Sequence, residues 1–169
     1  AHSEGNAVRL LLDAHENFPA WLDAIRRAER LILFECYIVD DDEVGREFAR
    51  ALRERARDGV RVYVLYDWLG SLRSDDLWPS LREAGVEVAA FNPFELSSPL
   101  GWIARDHRKM IAVDGRVGYV SGLCVSAKWL GNPARRLEPR RQRGARMPGA
   151  DGATPEGACA GARIAAGCA

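Results

Sequence analysis

Between residues 30 and 91 the chain twice repeats one pattern: a short apolar strand, an amphipathic helix closed by glycine, and a second strand. Residues 30–39 are rich in β-branched and aromatic side chains and read as a strand. The run Asp40-Asp41-Asp42 then offers carboxylates to cap the next helix and to face its positive N-terminal end. That helix, 43–58, sets Val44, Phe48, Ala51, Leu52 and Arg55 at helical spacing, and Gly59 stops it before a strand at 60–66. After Asp67 a loop with Gly70 and Ser71 leads to a helix at 75–84, a second stop at Gly85, and a strand at 86–91. Strand, helix, strand in that order calls for parallel neighbours joined by right-handed crossovers. The expected fold is therefore α/β, a mixed, largely parallel sheet flanked by helices. Upstream, 6–13 reads as a further strand, and 18–28 as a helix with Phe18, Leu22, Ile25 and Ala28 on one stripe and Pro19 in its first turn.

Residues 106–124 hold the densest group of chemically distinctive side chains. Ile111, Val113, Val117 and Tyr119 alternate around Asp114-Gly115, a strong hairpin signal. His107 and Lys109 are two apart, so both side chains leave the same face of the first strand. The opposite face, from Arg108 through Met110 and Ala112, is no clear core face, and the strand is expected to be buried on both sides beyond Lys109. An imidazole beside an ammonium makes a place for an anion, above all a phosphate, held by Lys109 and attacked or protonated by His107.

His107-x-Lys109-x4-Asp114, followed after six residues by Ser121-Gly122 and then x-Cys124, resembles the signature of the phospholipase D superfamily, in which a Gly/Ser pair and an Asn fill the last places. Upstream blocks Glu35-Cys36-Tyr37-Ile38, Asp67 to Ser71, and Phe91-Asn92-Pro93 stand in the order and spacing of its bacterial cardiolipin-synthase-like branch. The resemblance covers residues 5–139 and implies one phospholipase D-like lobe of what is usually a two-lobe enzyme. It implies catalytic roles for His107, Lys109 and Asp114, the last more for holding the motif than for proton transfer, and substrate contacts for Ser121, Gly122, Cys124 and Glu35. In the reaction so implied, one histidine attacks phosphorus to give a phosphohistidine, a second protonates the leaving alcohol, and lysines neutralise the phosphoryl oxygens. No metal and no cofactor is implied.

Two departures bear on activity. Cys124 replaces an amide by a thiol, a weak donor, which shifts phosphate binding toward Ser121 or backbone amides. The family's acidic residue after the motif, which orients a catalytic imidazole, falls in a region this chain has replaced; an unoriented imidazole commonly loses orders of magnitude in rate. Beyond residue 139 the text turns to Ala, Gly, Arg and Pro, and no strand or helix stripe can be drawn across 140–169. The domain reading is thus a lobe over 1–139 and a tail over 140–169 that is either a shifted reading frame in GC-rich DNA or a disordered basic tail.

Glu35 is a carboxylate in an apolar strand and needs a partner: either it stands behind the pocket near Lys109 or His107, or it pairs with a nearby Arg. Residues 92–102 lack periodicity and carry Phe94, Leu96, Leu100 and Trp102, either lining a lipid-chain entrance or forming satellite core. Cys36, Cys124, Cys159 and Cys168 lack metal-ligand spacing; Cys36 reads as a small core residue, and the four do not argue for an oxidising compartment.

Zero formal net charge with 28% charged residues gives no global pull toward nucleic acid, which is disfavoured as a partner. No apolar run approaches the roughly eighteen residues that span a bilayer. The expected location is cytoplasmic, with peripheral contact at the inner membrane. Only one His-x-Lys is present, since His2 and His15 have no Lys two residues on. Activity therefore calls for a second motif-bearing lobe or a homodimer partner acting with a phospholipid substrate. The first reading is a fragment of a phosphatidyltransferase or phosphodiesterase of phospholipid metabolism. The alternatives are a homodimeric phosphodiesterase acting on nucleic acid and a non-catalytic remnant.

Overall fold

Seven strands form one sheet in the order β1-β7-β6-β5-β2-β3-β4. The computed structural model describes residues 7–72, 74, 76–94, 104–131 and 144–148, the last five through their backbone. The elements are β1 (Arg9–Leu11), α1 (Ala14–Arg26), β2 (Leu31–Cys36), α2 (Glu43–Arg57), β3 (Arg61–Asp67), α3 (Leu77–Glu83), β4 (Glu87–Phe91), β5 (Lys109–Val113), β6 (Val117–Val120), a 3-10 turn (Ala127–Leu130) and β7 (Gly144–Pro148). β2, β3 and β4 pair in parallel; β5, β6, β7 and β1 then continue from β2 through antiparallel pairings. Five of the seven strands, all but β5 and β7, therefore run in one direction, and the strand and helix order accounts for the parallel set β2, β3 and β4.

The helix ends are written in local chemistry. Asp42 caps α2, its Oδ1 accepting from the amides of Val44 and Gly45, each at 3.0 Å. Gly45 is obligatory there, because a Cβ would meet the Asp40 carbonyl oxygen at 1.8 Å. α1 starts at Ala14, four residues before the expected Phe18, and Pro19 sits inside it. Asp13 sets that start by accepting from the Glu16 amide at 3.2 Å, while Glu16 Oε2 accepts from the Leu12 amide at 2.9 Å. This reciprocal arrangement satisfies two backbone donors at the helix entrance and outweighs the signal from proline.

Alternation along the strands sends Phe34, Val64, Ile111 and Tyr119 to the face covered by the helices, where all four are buried. Phe48 of α2 is the centre of that layer, with its ring 5.8 Å from Phe18, 6.2 Å from Trp21 and 6.1 Å from Phe34. Trp78 of α3 stacks on Tyr66 of the same face at 4.1 Å. The other face is different from the expectation of two-sided burial. Met110 is 39% exposed and Val120 42%, and among the described residues no helix covers them.

The hairpin turn is as expected, with φ 56° at Asp114 and 69° at Gly115. The segment 140–169 does hold a strand. β7 pairs with β1 and β6 at once, so backbone hydrogen bonding on both edges fixes it without an apolar stripe.

Candidate active site

β5 lies between β2 and β6, and this places the residues just before it over the end of β2. The His107 ring meets the Tyr37 ring at 4.5 Å, tilted by 50°. Lys109 Nζ lies 5.0 Å from the centre of the same Tyr37 ring and donates to the His107 carbonyl oxygen at 2.5 Å. The two side chains therefore share one side of the strand, gathered on Tyr37. They differ in access: His107 is exposed, whereas Lys109 is 5% exposed. A buried ammonium is costly without a counter-charge, and among the described residues Lys109 makes no ion pair with a carboxylate.

Tyr37 is held by the loop after β3. A Cβ on Gly70 would stand 2.3 Å from the Tyr37 carbonyl oxygen and 3.0 Å from its ring, so glycine lets the loop lean on it. Ser71 Oγ donates to the Tyr37 carbonyl at 3.2 Å and accepts from the Val39 amide at 3.1 Å. Asp67, 1% exposed, joins that loop to the strand bearing the motif. Its carboxylate accepts from the Gly70 amide (2.9 Å), the Asp106 amide (2.9 Å) and Arg105 Nη1 (3.3 Å). The sequence blocks around residues 35–38 and 67–71 pointed to this region, but they assigned no role to Tyr37 or Asp67, whose partners lie tens of residues away.

Ser121 donates its amide to the Lys109 carbonyl at 3.1 Å, and its Oγ accepts from the Leu123 amide at 2.9 Å. Gly122 is exposed beside it. Cys124 is 2% exposed, in the segment bridged to the one just past Cys36. The neighbouring Cys36 thiol, with the charge of Lys109, outweighs burial and brings the Cys124 thiol down to about 7. Cys36, fully enclosed, is pushed the other way by burial and by Cys124.

Glu35 and Asp114 stand apart from this group. Glu35 is opposite Met110 in the β2–β5 register, whereas Lys109 is opposite Cys36, so Glu35 projects from the other side of the sheet. Of the two partners open to it, the structure gives the arginine: Arg108 Nη2 lies 2.9 Å from Glu35 Oε1, at ion-pair distance though without hydrogen-bond alignment. Arg108 also grips Asp106, with Nε to Oδ1 at 2.9 Å and Nη2 to Oδ2 at 3.0 Å. Burial, with the hydrogen bond and charge of Asp106, pushes Glu35 up to about 7 against the pull of Arg108. At Asp106 burial works against ionisation, but hydrogen bonds from Arg108 and Glu35 prevail and hold the carboxyl near about 2. Glu35 is thus the member of the carboxyl pair behind the strand that holds its proton more tightly. Asp114 serves the turn. Its carboxylate accepts from the amides of Glu29 (2.9 Å), Arg30 (2.8 Å) and Leu31 (2.8 Å), which outweigh burial and hold it below its ordinary value.

The fold has clear likenesses. Nuc of Salmonella typhimurium, a phospholipase D family member, superposes with a TM-score of 0.61 at 17% identity, covering 85% of this chain and 83% of that one. Phosphatidylserine synthase of Haemophilus influenzae superposes with a TM-score of 0.63 at 17% identity over 83% of this chain and 32% of that one. The class is therefore a phospholipase D-like fold carrying the His-x-Lys motif. No family model matches the chain. Its sequence is 40% identical over 133 residues to cardiolipin synthase A of Pseudomonas fluorescens, an overlap of 75% of this chain and 27% of that protein. The chain belongs to the phospholipase D superfamily as a cardiolipin-synthase-like lobe, and it spans about a quarter of the length of the curated relatives it matches.

Proposed function

We propose that this lobe supplies half of a centre that cleaves a phosphodiester and passes the phosphatidyl group to an alcohol or to water. The observation that carries the reading is the meeting, on one aromatic ring, of an exposed imidazole and a buried ammonium that has no carboxylate partner among the described residues. A phosphoryl oxygen is the counter-charge that suits Lys109 in that setting. A His107 ring nitrogen then forms a bond to phosphorus as the bond from phosphorus to the leaving oxygen breaks, and that oxygen takes a proton from a second imidazole. Attack by water or a second alcohol, which gives its proton to the second imidazole, breaks the P–N bond and returns both imidazoles to their starting states. With one motif in the chain, the second imidazole comes from another motif-bearing lobe or from a second copy across a self-complementary contact.

A phospholipid suits the surroundings of His107 better than a nucleic acid does. The loop that leans on Tyr37 presents Leu69 at 37% and Leu72 at 46% exposure, and Phe94, 49% exposed, stacks on Trp68 at 6.2 Å. This apolar surface, on and beside the loop that packs against Tyr37, suits peripheral contact with a bilayer. Leu96, Leu100 and Trp102 of the same loop lie outside the described residues. The test is to incubate the chain, alone and paired with a second motif-bearing lobe, with labelled phosphatidylglycerol vesicles and quench during turnover. An acid-labile adduct on His107, absent from His107→Ala, is expected. Turnover that survives in His107→Ala contradicts the reading.

A further inference from the structure

Two of the four cysteines come together beside Lys109. Cys36 ends β2 directly opposite Lys109 in the β2–β5 register, so both side chains leave the same face. The segment bearing Cys124 is bridged to the one just past Cys36: the Val125 amide donates to the Ile38 carbonyl at 3.0 Å, and the Asp40 amide donates to the Val125 carbonyl at 3.0 Å. Cys36 Sγ donates to the same Ile38 carbonyl at 3.0 Å, so that one carbonyl gathers the Cys36 thiol and the Cys124–Val125 backbone. Both cysteines are reduced, and both are among the residues that fill the core.

We propose that Cys36 and Cys124 form a reversible dithiol–disulfide pair, a redox modification site adjoining the phosphate-facing lysine, with a peroxide as oxidant. Cys124 is the thiol that reacts first. The neighbouring Cys36 thiol and the Lys109 charge favour its thiolate, the form that attacks peroxide. The Cys124 thiolate displaces hydroxide from hydrogen peroxide to form a sulfenic acid, and the hydroxide takes a proton to become water. The Cys36 thiol then attacks the sulfenic sulfur, the S–S bond forms, and the sulfenic oxygen leaves as a second water. Peroxide is reduced by two electrons, and the thiol pair is oxidised by two. A reducing thiol reverses the change by exchange. The disulfide removes the anionic neighbour of Lys109, so the oxidised lobe holds that ammonium with one counter-charge fewer. This modification stands whether or not His107 is catalytic.

The experiment treats the intact, folded chain at pH 7 with a few equivalents of hydrogen peroxide, alkylates it under denaturing conditions and maps the peptides by mass. The expected product is the peptide of Cys36 joined to that of Cys124, restored to two alkylated thiols by dithiothreitol. Cys36→Ser should leave a sulfenic acid on Cys124 that dimedone captures. The proposal is overturned if both thiols stay fully alkylatable, if Cys124 joins only Cys159 or Cys168, or if the bridge forms only when urea is present during oxidation.

Discussion

Lys109 and Glu35 leave opposite sides of paired strands, and they carry opposite kinds of charge problem. Lys109 is a buried ammonium whose partners among the described residues are a carbonyl, an aromatic face and a thiol. Replacing it by Met removes a desolvated charge and keeps the side-chain length, so Lys109→Met should melt at the same temperature as the parent or higher, while losing affinity for phosphate. A melting temperature lowered by ten degrees would assign Lys109 to the structure instead. Glu35 holds a proton in the folded chain up to about pH 7, against an ordinary value of 4.5. Between those values the folded state binds more protons than the unfolded one, so stability is full below about 4.5 and declines as pH rises toward 7. Asp106 acts in the other direction, its contribution being present above its ordinary 3.8 and lost as pH falls toward about 2. Glu35→Gln should therefore flatten the decline between pH 5 and 7, by on the order of 2 kcal/mol across the window. Equal slopes for the two proteins would remove Glu35 from the account.

At the scale of elements, the joints around the motif matter more than the strands. Asp114 ties the β5–β6 turn to the start of β2 through three backbone amides, contacts that cross more than eighty residues of chain. Asp114→Asn keeps the turn residue's tolerance of positive φ but loses the charge and an acceptor, and should cost about 2–3 kcal/mol in chemical denaturation. Gly70→Ala drives a methyl group into the Tyr37 backbone, so it should cost about 1–3 kcal/mol and displace the His107 ring, visible as a change in the imidazole's NMR shifts. The helix and strand order was legible because Asp42, Gly59 and Gly85 mark the ends of α2 and α3 in local chemistry. The start of α1 was not, because Pro19 advertises a first turn while Asp13 and Glu16 make an earlier one. β7 left no sequence signal at all, since a strand paired on both edges needs backbone more than pattern.

For the molecule as a whole, one face of the sheet carries the helices and the core, and the loops at the end of β2 and β3 carry Tyr37, Asp67 and the approach to His107. The spacing of His107 and Lys109 made their shared face readable. That Tyr37 is the surface they share was not, because it depends on β5 lying beside β2, a pairing of residues 73 to 81 apart in the chain. An arginine was one of the partners open to Glu35 in the sequence, but that it is Arg108 was hidden for the same reason. The central claim, that His107 and Lys109 grip a phosphoryl group together, is tested most directly by titrating the labelled chain with inorganic phosphate and following the His107 imidazole by NMR. A saturable shift in the parent that disappears in folded Lys109→Met is the expected result. An imidazole that does not respond, or one that responds equally in both proteins, would contradict it.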